Sequence, residues 1–137
     1  MHMENIIKDP IVYAREVVGR DPLATFLGIT VEEVKHGYAR CSLTVKPEYC
    51  NAVERAHGGI IHAVADQAFA VASNSMGTMA VALSMTLQYL QAALVGERIF
   101  AEVVVIHAGR KVSSWRVDVR GADDKIVATG DAVAYHK

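Results

Sequence analysis

His57-Gly58-Gly59-Ile60-Ile61-His62-Ala63-Val64-Ala65-Asp66-Gln67-Ala68-Phe69-Ala70-Val71-Ala72-Ser73 is the stretch on which the reading of this chain turns. From Gly58 to Met76 the residues Ile60, Ile61, Val64, Ala65, Ala68, Phe69, Val71 and Ala72 leave almost no polar face, the pattern of a helix covered on most sides. Gly77 stands where such a helix would stop. Inside it lies one acid, Asp66. A carboxylate is costly to bury unless it is paired or used, so Asp66 demands a reason. The His57-Gly58-Gly59 step reads as the helix start, where unpaired backbone N–H groups and the helix dipole favour negative charge. An anion site for a developing oxyanion and a carboxylate base or nucleophile together suggest chemistry on an acyl group.

Outward from this helix the pattern changes. Before it, Ile29 to Lys35 and Tyr38 to Val45 alternate with period two across His36-Gly37, which predicts a hairpin. Pro47 stops the second strand, and a polar loop over 48–56 leads to His57. Further upstream, Pro10 to Gly19 and Pro22 to Leu27 read as short helices that begin at prolines. After the helix come four strand-like runs, Met79 to Gln91, Arg98 to Ala108, Lys111 to Gly121 and Lys125 to His136. Alternation is clearest where Trp115, Val117 and Val119 interleave with Ser114, Arg116, Asp118 and Arg120. The expected architecture is α+β: an antiparallel sheet of five to six strands wrapped around one long buried helix, preceded by short N-terminal helices. That arrangement is the hotdog fold, here as a single domain over 1–137 with a helical extension at 1–27.

Composition narrows the function classes. The 137 residues carry a net charge of −1 and no basic run, so nothing calls for a nucleic-acid partner. No run reaches about 18 consecutive apolar residues, which argues against a membrane span. The mixed, charged start lacks the apolar core of a secretory signal, so a cytoplasmic location is expected. Cys41 and Cys50 read as reduced thiols rather than a disulfide framework. The six histidines are scattered, and His57 and His62 are five apart, off the spacing that puts two ligands on one helix face. Neither a metal nor a cofactor is expected.

Asn51, then His57-Gly58-Gly59, then Ala65-Asp66-Gln67-Ala68-Phe69-Ala70, then Asn74-Ser75 resembles the PaaI-type branch of hotdog-fold acyl-CoA thioesterases. The resemblance covers roughly residues 24–135. Its specificity lies in spacing: Asn51 is six before the histidine, Asp66 nine after it, and Ser84 eighteen beyond the acid. The resemblance implies hydrolysis of an acyl-CoA thioester, with aryl groups such as phenylacetyl or medium-length chains as the acyl class. It implies that the Gly58 amide holds the oxyanion and that Asp66 is general base or nucleophile. His57 and Asn51 would orient the loop, substrate or water, and Ser84 would help to place the water. Coenzyme A enters as part of the substrate.

Gly58 and Asp66 are eight residues apart, or about 12 Å along a helix axis at about 1.5 Å per residue. One carbonyl has to lie about 3 Å from its oxyanion donor and close to the attacking group. One helix does not serve both, whereas two antiparallel copies across a two-fold axis do. The expectation is a homodimer with shared sites, with pairing of dimers into a tetramer as the family's long strands suggest. For the phosphates of the coenzyme, Arg110 and Lys111 in the turn after Gly109 are the candidates, with Arg55 and Lys137 behind them, and Gly59 is a further candidate for binding the substrate or its coenzyme. Phe69, Met76, Met79 and Met85 are candidate pocket residues.

Each assignment has a structural counterpart. Asp66 can be a paired structural acid, His57-Gly58-Gly59 a tight loop-to-helix step, and Ser84 a polar-face residue beside Thr86 and Gln88. Asn51 can cap its loop, and His62, four residues before Asp66, can pack rather than pair with it. Two other functions compete with hydrolysis. A hotdog dehydratase needs an acid and histidine motif that this chain does not resemble. A non-catalytic acyl-CoA sensor would usually be joined to a DNA-binding segment, for which the first 27 residues are too short and too weakly basic.

Overall fold

The computed structural model describes residues 8–137; the first seven residues of the expected extension, His2 among them, lie outside the described residues. Asp9 caps the first helical turn, α1 (Pro10–Val12), accepting the Val12 N–H at 3.2 Å. The coil then widens into a π turn at Tyr13–Val17 and tightens into a 3-10 turn at Val18–Arg20, so the expected first helix is present but irregular. Helix α2 (Pro22–Leu27) repeats the same start, with Asp21 accepting the Ala24 N–H at 3.0 Å and proline in the first turn.

Six strands follow: β1 (Thr30–Lys35), β2 (Tyr38–Thr44), β3 (Ala80–Tyr89), β4 (Arg98–Ala108), β5 (Val112–Arg120) and β6 (Ile126–His136). They form one antiparallel sheet in the order β1-β2-β4-β5-β6-β3. Alternation fixes the inner face: Ala39, Cys41 and Leu43 on β2, Ile99, Ala101 and Val103 on β4, and Trp115, Val117 and Val119 on β5 are all buried. Against this face lies α3 (Gly58–Ser73), whose Ile61, Val64, Ala65, Ala68, Phe69, Val71 and Ala72 are buried. Its alanines let the helix approach the sheet closely, and Phe69 meets Trp115 edge-on with ring centroids 6.2 Å apart. This is the hotdog arrangement expected from the sequence.

Three details differ from the sequence reading. Helix α3 stops at Ser73 rather than at Met76, because Asn74 caps it. The Asn74 amide group donates to the Ala70 carbonyl at 2.9 Å and to the Ala80 carbonyl at 3.3 Å, while its oxygen accepts the Ala80 N–H at 2.9 Å. Ser75 then accepts the Gly37 N–H at 2.9 Å, pinning the β1–β2 hairpin, whose Gly37 has φ 74°. Asn74-Ser75 is therefore a structural joint. Second, Phe69 belongs to the core and not to an open pocket. Third, Asp66 is exposed in the protomer: Gly59 and Asp66 are exposed, and His62, Ala63 and Ala70 partly so, forming a stripe at helical spacing. Alanine-rich helices carry little sequence contrast between a covered and an open face, so the stripe was not legible.

Candidate active site

The start of α3 is built by a short loop. Asn51 organises it: its side-chain oxygen accepts the N–H groups of Val53 and Arg55 at 3.1 and 3.0 Å, and its own N–H donates to the Arg55 carbonyl at 2.7 Å. Glu54 takes φ 61° to close the turn, and Cys50 and Ala56 pair as an isolated bridge. Both cysteines are free. The loop-cap reading of Asn51 is thus present in the structure, and it leaves the amide nitrogen of the side chain for another acceptor.

His57 is the N-cap of α3. Its Nδ1 accepts the Gly59 N–H at 3.0 Å, which makes Nε2 the protonated nitrogen of the neutral ring. The His57 N–H donates to the Tyr49 carbonyl at 2.8 Å, and the Ile60 N–H donates to the His57 carbonyl at 2.9 Å. Of these first-turn amides only the Gly58 N–H has no partner among the described residues. An unpaired donor at a helix start is an anion site. Nothing in the protomer backbone requires glycine there: a Cβ on Gly58 would stand 3.4 Å from the nearest Tyr89 ring atom, an ordinary contact.

The Gly58 N–H borders a cavity of about 330 Å³ lined by Asn51, Arg55, Gly58, Ile61, Tyr89 and Gln91 among others. His57 and Gly59 line a neighbouring cavity with Tyr49 and Cys50 instead. Arg55, whose guanidinium donates to the Val53 carbonyl at 3.2 Å, is therefore brought together with Gly58 and Asn51.

Asp66 lies two turns further along α3 and does not line that cavity. Loss of hydration by the surrounding protein raises its pKa above the ordinary aspartate value; positive charge on His62 opposes the rise and Asp21 adds to it. No ion pair or hydrogen bond joins Asp66 to His62 among the described residues. Ser84 is exposed on β3, paired with Val133 at the step where a bulge inserts Leu83, and makes no hydrogen bond to Asp66. Arg110 lines a cavity with His36, Met76, Thr78 and His136 at the opposite end of α3. Lys111 leans over the Tyr135 ring with its ammonium 5.9 Å from the centroid. One protomer thus assembles Asn51, Arg55 and Gly58, with His57 and Gly59 adjoining, and leaves Asp66, Ser84, Arg110 and Lys111 apart from them.

Sequence comparison bears directly on this geometry. Residues 54–128, from the loop before His57 to the start of β6, match the family model described as the thioesterase superfamily. The chain belongs to the thioesterase superfamily. It is 37% identical to a putative esterase of Archaeoglobus fulgidus over 84% of this chain and 75% of that one. It is 31% identical to the acyl-coenzyme A thioesterase PaaI of Escherichia coli, over 84% of this chain and 82% of that one. The solved structure of the E. coli PaaI protein from the phenylacetic acid degradation operon superimposes with a TM-score of 0.88 at 27% identity, covering 94% of this thioesterase and 95% of that chain. The PaaI-type resemblance and the enzyme class expected from the sequence are borne out.

Tyr89 escaped the sequence reading. A tyrosine near the end of an apolar strand carries no motif, and only the fold puts it against Gly58. A Thr78–His136–Ser113–Trp115 chain of hydrogen bonds escaped for the same reason, since Thr78 and Ser113 both lie far from His136 in sequence.

Proposed function

We propose that this thioesterase hydrolyses acyl-CoA thioesters, of aryl groups such as phenylacetyl or of medium-length chains, to the free acid and coenzyme A. The observation that carries the reading is the lone unpaired Gly58 N–H at the start of α3, beside a cavity rather than a protein acceptor. A thioester carbonyl placed there gains most as its oxygen becomes an oxyanion. Asp66 either takes the proton of a water that attacks the carbonyl carbon, or attacks that carbon itself to form an acyl-aspartyl anhydride that water then hydrolyses to the free acid. In both, the C–S bond breaks and the thiolate leaves, protonated by the Asp66 carboxylic acid in the first route and by solvent in the second. His57 holds the loop-to-helix step through the Gly59 N–H, Asn51 orients the substrate side of the loop, and Ser84 helps to place the water. The relative in E. coli named acyl-coenzyme A thioesterase supports the substrate class.

Within the same proposal the site is shared by two copies. Gly58 and Asp66 face different surroundings on one helix, and a strand edge offers the means of pairing. The free edge of β3, Ala80–Tyr89, carries no charged residue over ten positions, and Val81, Leu83 and Tyr89 on it are exposed. Such an edge is a template for another strand unless it is covered. Antiparallel pairing of β3 with its copy brings the far end of the second protomer, with Asp66 and Arg110, toward Gly58 of the first. Arg110 and Lys111 then serve the coenzyme phosphates from the partner, and Arg55 from the same protomer.

A thiol-release assay with phenylacetyl-, hydroxybenzoyl-, short- and medium-chain acyl-CoAs tests the reading. Turnover by the wild type that falls by about 10²–10⁴ in Asp66→Asn supports it. Binding of acyl-CoA without thiol release by the wild type contradicts it.

A further inference from the structure

Gly58 and Tyr89 meet at the point where the proposed reaction begins. The Tyr89 ring is half exposed, and the hydroxyl end of the ring is turned to the helix start: Cζ, Cε2 and the hydroxyl oxygen stand 3.4, 3.6 and 3.6 Å from where a Cβ on Gly58 would be. The hydroxyl has no hydrogen-bond partner among the described residues, and neither has the Gly58 N–H. Both border the cavity that contains Asn51 and Arg55. Both free donors therefore border one concave site, while the next amide along the helix, the Gly59 N–H, is already bound to His57. A carbonyl oxygen offers two lone pairs, and one amide satisfies only one of them.

Resting on the thioesterase reading above, we propose that the Tyr89 hydroxyl is a second donor to the thioester carbonyl oxygen, completing the oxyanion site begun by Gly58. Tyr89 is then a catalytic residue and not only the wall of the cavity. Its place at the end of β3, beside the edge strand's pairing face, ties the donor's position to the same strand that a second copy would cover.

The test uses Tyr89→Phe, which keeps the ring and its packing on Gly58 and removes only the hydroxyl. The expected result is a fall in kcat of about 10²-fold with KM changed by no more than about threefold. Two non-hydrolysable probes separate the hydroxyl's role from packing. One is an acyl-CoA analogue with sulfur replaced by a methylene and the carbonyl kept; the other keeps sulfur and has a methylene in place of the carbonyl. Tyr89→Phe should weaken the carbonyl probe by about threefold, a hydrogen bond to a ground-state carbonyl, and leave the other unchanged. An undiminished kcat, or equal effects on the two probes, overturns the proposal. Absence of thiol release by the wild type would count against hydrolysis itself, and the two binding measurements would still decide the role of Tyr89.

Discussion

At the scale of the residue, the chemistry rests on how few groups are left unsatisfied. In the first turn of α3 the Gly59, Ile60 and Ile61 amides are bound, and only the Gly58 N–H has no partner among the described residues. Proline is tolerated at the first position of a helix, and His57, with φ −62° and ψ 142°, already has the extended backbone that a following proline needs. Gly58→Pro should therefore leave the fold intact, judged by an unchanged melting temperature, and lower kcat by about 10²-fold or more. Asp66 makes a second prediction. Reduced hydration raises its pKa, so the acid limb of the pH–rate profile should lie above the ordinary aspartate value, with activity lost as pH falls through it. Positive charge on His62 works against that rise. His62→Phe should move the limb to higher pH, and an unmoved limb would show that His62 merely packs.

At the scale of the element, the sequence carried the large features and missed the joints. Period-two runs and one apolar helix were sufficient for the sheet and α3, because burial of one face imposes the pattern directly. Gly58, His57 and Asn51 were legible because helix starts have their own residue chemistry. The open stripe through Asp66 and the contact of Tyr89 with Gly58 were not, because each depends on what a distant element covers. Phe69 shows the difference well: apolar and next to the acid, it reads as a pocket residue, yet it is fully enclosed against Trp115. Phe69→Ala should cost about 3–5 kcal/mol in denaturant unfolding. Gly130 on β6 faces a tighter limit, since a Cβ there would stand 1.8 Å from the Thr86 carbonyl oxygen of β3. Gly130→Ala should force β3 away from the sheet, costing about 1–3 kcal/mol or more and disturbing the edge that the proposed dimer uses. Normal stability and normal self-association in that variant would contradict the close β3–β6 approach.

At the scale of the whole molecule, the C-terminal strand is locked to the core by a buried histidine. Trp115 Nε1 donates to Ser113 Oγ at 2.7 Å, and the Ser113 hydroxyl and His136 Nε2 stand 2.6 Å apart. Thr78 Oγ1 lies 2.9 Å from His136 Nδ1. Every proton finds an acceptor when His136 is neutral and protonated on Nδ1; a second proton on Nε2 would leave the enclosed Ser113 hydroxyl without one. Burial lowers the His136 pKa in agreement with this. The unfolded chain then takes up the proton first, so stability should hold above pH of about 6.5 and fall as pH drops below it toward the lowered folded value. His136→Gln should lose that component of the pH dependence in thermal or denaturant melts.

The larger claim is that the working unit is two chains, each lending α3 to the other's site. Mixing Gly58→Pro and Asp66→Asn protomers, after unfolding and refolding them together, tests it most directly. Random pairing makes about half of the dimers mixed, and each mixed dimer holds one intact site of two, so about a quarter of wild-type acyl-CoA hydrolysis should return. If each protomer carried a complete site of its own, the mixture would stay as inactive as its parts.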